Sequence, residues 1–140
     1  RIPKKAYWAI VSNKFDKQKG SLTHWMTRNS KQNKSKAHSR EVPNSKLAKL
    51  HFKRVKNFEH YCLLEINLET GRHHQIRAQL SALHFPIKGD LKYGAQRSNR
   101  DGSISLHARH LELQHPVTKD LLVFTSDPQR VGIWKAVLCD

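Results

Sequence analysis

Apolar and polar residues alternate with period two over several stretches of the chain. Leu64, Ile66 and Leu68 interleave with Glu65, Asn67 and Glu69, the spacing of a strand with one buried face. The runs "LAKLHFKRV" from Leu47 and "YCLLEINLET" from Tyr61 predict two strands, with Lys56-Asn57-Phe58-Glu59-His60 as the turn of a hairpin. Lys5 to Val11 is rich in aromatic and β-branched residues and predicts an earlier strand; Ser103–Leu113 and Leu121–Ser126 predict two later ones, joined by the turn-like "QHPVTKD". After Gly71 the period lengthens. Ile76, Leu80 and Leu83 fall at helical spacing and predict a short amphipathic helix from His73 to about His84. Pro86, Gly89 and Gly94 punctuate Phe85–Gly94 as a loop with one short extended piece, and "RVGIWKAVL" predicts a final helical segment after Asp127-Pro128. Strands outnumber helices and do not alternate with them, so the expected class is α+β, a mostly antiparallel mixed sheet with a few short helices.

One region breaks the pattern. Ser12 to Lys46 holds nine basic residues against Asp16 and Glu41, with "SLTHWM" as its only evident apolar anchor, and reads as a long, partly mobile basic loop at about 12–46. The 140 residues suit a single domain. Because the chain starts at Arg1 and runs almost at once into "AYWAIV", that domain, 1–140, is expected to be an incomplete one.

Charge narrows the function classes. Lys and Arg number 26 against 11 acidic residues, a formal net charge of +15, which points to a polyanionic partner, RNA or DNA. No apolar run approaches the roughly 20 residues that span a bilayer, so no membrane association is expected. Cys62 and Cys139 lie far apart without metal-ligand spacing, which suits a reducing cytoplasm. Ten histidines raise the question of a metal, but their spacing does not make a ligand set, and none is expected.

The stretch "ETGRHHQIRAQL" (69–80) concentrates the candidate chemistry. A strand ends there and a helix begins, so the backbone N–H groups of residues 71–74 are expected to lack helical partners and, with Arg72 and Arg77 nearby, to form an anion site. The plain alternative is a helix start with solvated charges. Arg77 decides against it: beside the Ile76–Leu80–Leu83 stripe its guanidinium would be partly buried and would need a carboxylate or phosphate. Arg72, His73, His74 and Gln75, with Lys31, Lys34 and Lys36 of the basic loop, form the expected RNA-binding set.

"LLEINLETGRHHQIRAQL", then "FPIKGDLKYG", then "SLHARHLELQHP" together resemble the final half of the catalytic domain of RluA-type RNA pseudouridine synthases, and "KKAYWAIV" resembles the strand carrying their active-site tyrosine. The resemblance covers Lys5 to Tyr7 and Leu63 to about Pro116. It implies isomerisation of uridine to pseudouridine in structured RNA, rRNA or tRNA, without cofactor or metal. It gives Tyr7 the role of stacking on the flipped uracil, and Arg77 that of pairing with a catalytic aspartate. Gly71, Gly89, Asp90, Tyr93, Gly94 and His107 become architectural, with Asp90 tying down a loop beside Tyr93. Three departures stand out: His73 replaces a usual threonine, Gln79 replaces a common histidine, and the "RLD"-type segment that carries the nucleophile is absent. Two readings follow, a synthase whose aspartate comes from an upstream segment, this chain alone being inactive, or a non-catalytic basic RNA-binding module.

Overall fold

The structure, a computed structural model, describes residues 4–139. Its seven strands are β1 (Lys4–Ser12), β2 (Lys19–Asn29), β3 (Lys34–His38), β4 (Lys46–Asn57), β5 (Tyr61–Leu68), β6 (Leu106–Gln114) and β7 (Leu121–Thr125). They form one sheet in the order β3-β2-β4-β5-β1-β6-β7, and every pairing is antiparallel. The helices are α1 (Gln75–Ala82), one 3-10 turn at Leu91–Tyr93, and α2 (Trp134–Val137).

Period-two alternation sends successive side chains to opposite faces, and both faces of the central strands are covered. Ala9 and Val11 of β1 and Cys62, Leu64 and Ile66 of β5 pack with Ile76 and Leu80 of α1 and with Ile87. Ile10 and Leu63, one position out of phase, meet Trp134 and Val137 of α2 on the other side. Leu80, Leu64 and Ile66 are wholly buried, each stabilising the fold by about 1.5–3 kcal/mol. Lys56 fixes α2 by donating from Nζ to the carbonyls of Ala136 (2.9 Å) and Cys139 (2.5 Å), a cation at the helix C-terminus where the backbone dipole favours one.

The segment 12–46 is not the basic loop expected of it. Its middle, 19–38, forms β2 and β3, a hairpin paired from Trp25↔His38 to Asn29↔Lys34. In β2, Leu22, His24 and Met26 alternate inward and are buried while the intervening positions face outward. The inward set is short and includes a histidine, and charged neighbours dilute its periodicity. His24 is accommodated because Gln79 of α1 donates to its Nδ1 (2.8 Å); burial holds the imidazole below its usual pKa and keeps it neutral. A second anchor in this segment, Phe15, is 2% exposed and meets Phe52 and Phe85 edge-on at 5.2 and 5.4 Å. The extended piece expected within Phe85–Gly94 is also absent: the chain makes the 3-10 turn there instead, ended by Gly94 at φ 109°.

Candidate active site

Arg77 projects from α1 onto Asp90, at the start of the 3-10 turn. Its Nε and Nη2 donate to the two carboxylate oxygens of Asp90 at 2.9 and 2.8 Å, the bidentate geometry for which a guanidinium is suited. Asp90 is wholly buried; its backbone carbonyl accepts the N–H groups of Tyr93 (3.2 Å) and Ala95 (3.0 Å), which closes the turn. The Arg77 side chain is 19% exposed, and its guanidinium lies 4.8 Å from the centre of the Tyr93 ring. The hydrogen bonds to Asp90 raise its pKa further. Gly89, just before the aspartate, has φ 86°, and a Cβ there would stand 2.7 Å from the Asn99 side chain.

His74 completes this cluster. It is the N-cap of α1 in a left-handed conformation, φ 51°. Arg77 donates from Nη1 to His74 Nε2 (3.2 Å), and His74 Nδ1 hydrogen-bonds the Tyr93 hydroxyl (2.8 Å). Accepting from Arg77 requires an unprotonated Nε2, which fixes the tautomer with hydrogen on Nδ1. Burial first and the Arg77 charge second push the pKa of His74 down to about 4. The His73 ring stacks on that of His74 at 3.8 Å and links to the hairpin through Ser35 Oγ (2.7 Å) and Asn33 Oδ1 (2.9 Å). Tyr93, 4% exposed, also accepts the Ser35 backbone N–H at 2.9 Å. The hairpin, the start of α1 and the 3-10 turn are thereby tied into one polar knot.

At the helix start, one of the four backbone N–H groups expected to lack helical partners, that of Arg72, is taken by a side chain. Gln75 Oε1 accepts the Arg72 N–H (3.0 Å) and the Thr70 hydroxyl (2.7 Å), while its Nε2 donates to the Lys49 carbonyl (3.2 Å). Gln75 is 3% exposed, so it caps and anchors rather than presenting itself to RNA. Arg72 spends its Nε on the Leu47 carbonyl (2.9 Å). Gly71 needs no left-handed backbone and has open space where a Cβ would stand. Lys31 lies exposed in the β2–β3 turn, and exposed Lys34 and Lys36 lie on β3, with Lys34 Nζ 5.5 Å from the Tyr93 ring centre.

Tyr7 lies elsewhere. It packs in part on the core beneath α1 and lines a second cleft, of about 650 Å³, between β1, β6 and β7, with Lys5, Arg109, His110, Phe124 and Ser126. No residue of α1 lines that cleft; the polar contacts of Arg77 are with Asp90 and His74, and Tyr7 packs on the core cluster that holds Ile76 and Leu80 of the same helix. Arg109 was not singled out in the sequence. Its guanidinium stacks 4.6 Å from the Trp8 ring centre and pairs with Asp127 at 3.1 Å; a lone arginine in the histidine-flanked run "LHARHLEL" beside the tyrosine strand was the available signal. His107 pairs with Trp8 in the sheet, sends Nε2 to the Ser126 carbonyl (2.7 Å) and contacts the Trp134 ring edge-on at 6.1 Å, an architectural placement on the α2 face.

Comparison with known proteins gives the lineage. The chain is 33% identical over 118 residues to an uncharacterized RNA pseudouridine synthase of Bacillus subtilis, covering 84% of this chain and 38% of that one. It is 37% identical over 94 residues to ribosomal large subunit pseudouridine synthase D of Buchnera aphidicola (58% and 30%), and 37% over 92 residues to tRNA pseudouridine synthase C of Pectobacterium carotovorum (56% and 24%). The chain thus spans between a quarter and two-fifths of these relatives. A solved human structure, RNA pseudouridylate synthase domain containing 1, shares the fold with a TM-score of 0.72 at 23% identity, over 94% of this chain and 56% of that one. The model of the RNA pseudouridylate synthase family matches residues 1–82, a stretch that includes both the tyrosine strand and the arginine helix, and the chain therefore belongs to that family, in its RluA-type branch.

Proposed function

We propose that this chain is part of an enzyme that isomerises uridine to pseudouridine in structured RNA, rRNA or tRNA, in the cytoplasm. The observation that carries the proposal is the family match across residues 1–82, which holds Tyr7 on β1 and Arg77 on α1 in the context of their motifs. RNA reaches the protein through its +15 charge. The target base leaves its stack and is received by Tyr7, whose ring forms part of a cleft flanked by Lys5 and Arg109. A catalytic aspartate from an upstream segment acts at the sugar, and Arg77 neutralises it through the part of its side chain that stays open beside Asp90. Neither Tyr7 nor Arg77 supplies a nucleophile, so the reaction needs the aspartate and no cofactor. Holding a preformed charge in place is the chain's contribution to the rate.

A non-catalytic RNA-binding role is the second reading, favoured by the engagement of both Arg77 donor edges with Asp90 and His74. One experiment separates the two. The purified chain is incubated with uridine-containing cellular RNA, alone and with a separately made upstream segment carrying the aspartate, and pseudouridines are counted. The isomerase reading expects none from the chain alone and turnover on reconstitution, abolished by Tyr7→Ala. RNA binding without turnover under both conditions favours the binding module.

A further inference from the structure

On the far side of α1 from Tyr7, a cleft of about 600 Å³ runs between the β2–β3 hairpin and the outer face of the helix. The hairpin side carries Arg28, Lys34 and Lys36; the helix side carries only Ala78, Ser81 and Ala82. No aspartate or glutamate lines it, and among the described residues none of the three cations takes part in an ion pair. Arg28, Lys34 and Lys36 all border this acid-free surface, Arg28 on the Ser35 face of the hairpin and the two lysines on its other face along the β3 edge, and the small helix side chains keep the space beside them open. Each cation is exposed and open to an incoming anion.

We propose that this cleft binds the phosphodiester backbone of an RNA strand, gripping nucleotides that flank the one presented to Tyr7. The inference rests on the RNA-modifying reading above and gives that reading a second point of contact. Topology supports a paired arrangement. Tyr7 packs on the same core as α1, and the two clefts lie on opposite flanks of that helix: one at the β3 edge of the sheet, the other at the β7 edge. A strand held at the first is fixed in register relative to the second. His73, bonded to Ser35 of the cleft wall, is held below its usual pKa by burial first and then by the charges of Arg28, Lys92 and Arg77. The polar knot makes the cleft rigid, because Ser35 between the two lysines is bound by both Tyr93 and His73. A preformed anion site loses little on ordering when the strand binds.

The test is binding by the whole chain of a fluorescein-labelled oligouridylate of about ten nucleotides, followed by anisotropy across a salt series. Reversing the cleft charges (Arg28→Glu, Lys34→Glu, Lys36→Glu) should weaken binding on the order of 100-fold and lower the log–log salt slope by about 2, since each lost single-strand contact removes about 0.7. Reversal of three exposed lysines elsewhere (Lys14→Glu, Lys17→Glu, Lys135→Glu) changes net charge equally and should cost only about threefold. Ala82→Trp fills the cleft without altering charge and should weaken binding roughly tenfold through loss of one or two phosphate contacts. Lys34→Gln with Lys36→Gln provides a milder pair should the triple reversal unfold, a point checked by circular dichroism. An oligodeoxyuridylate of the same length and millimolar inorganic phosphate should compete; free uridine should not. Equal losses from the two triple reversals, unaltered binding by Ala82→Trp, or displacement by free uridine would each overturn the proposal. Binding is read without catalysis, so the two readings fail separately. A cleft that binds while the reconstituted enzyme makes no pseudouridine sinks the isomerase reading alone. A reconstituted enzyme that is active yet indifferent to Ala82→Trp sinks the cleft alone.

Discussion

The two flanks of α1 are built in opposite ways. On the β3 side, Arg77, Asp90, Tyr93, His74, His73 and Ser35 bond to one another in an unbroken chain. On the β7 side, Leu121, Val123 and Phe124 of the edge strand are 48%, 52% and 56% exposed, and the Tyr7 cleft opens among them. A buried polar network is stable only when every member is satisfied, so the first flank is rigid and intolerant of change. The second spends little on holding a shape and leaves apolar surface and an open strand edge uncovered. In this chain, rigidity belongs to the arginine and openness to the tyrosine.

The largest break in that contrast comes from removing the arginine. Arg77→Ala strands a buried carboxylate and should lower unfolding free energy by about 3–5 kcal/mol, read from urea denaturation. The double change Arg77→Met with Asp90→Leu removes the charge together with its partner and should recover most of the loss. Next in size is Gly89→Ala, which combines a left-handed backbone with a Cβ pressed on Asn99 and should cost about 1–3 kcal/mol. Titration gives the third. His74 accepts a proton in the unfolded chain near the ordinary imidazole value of 6.5 but in the fold only near 4, so its contribution is complete above the upper value. It is lost as pH falls from one to the other, by about 1 kcal/mol once solvent screening of this partly exposed ring is allowed for. His74→Asn should flatten that part of the stability–pH curve, measured by thermal melts in matched buffers. The smallest effect belongs to the open flank. Phe124→Ser should shift stability by less than about 0.5 kcal/mol, as exposed positions do, and equal sensitivity of the two flanks would erase the distinction.

The sequence reveals the open flank better than the rigid one. β1 and β5 follow from alternation and β-branched content, because their buried positions are apolar. The β2–β3 hairpin is hidden by its chemistry: His24 and Ser35 occupy buried positions satisfied by Gln79 of α1 and by His73 with Tyr93, partners far away in the chain. Likewise the need of Arg77 for a carboxylate is legible from its place beside an apolar stripe, whereas the identity of the carboxylate depends on the loop after α1 returning to the helix. Gln75 was misread because its amide looks the same whether it greets solvent or caps Thr70 and Arg72. Family resemblance carries Tyr7 and Arg77 into one site, but a motif does not report which walls of that site this stretch of chain supplies.

The place of β1 in the sheet sets an order of assembly. β4 and β5 are joined by a three-residue turn and β2 pairs with β4, so the middle of the sheet is a local meander that can form early. β1 leaves the ribosome before the other six strands of this sheet, yet Ser12 waits for Tyr61 and Lys4 waits for Glu112 before its two edges are closed. Contacts so distant in sequence slow folding and leave a nascent strand open to the wrong neighbour. Synthesis must therefore pass Glu112 before the strand that carries Tyr7 has both of its neighbours.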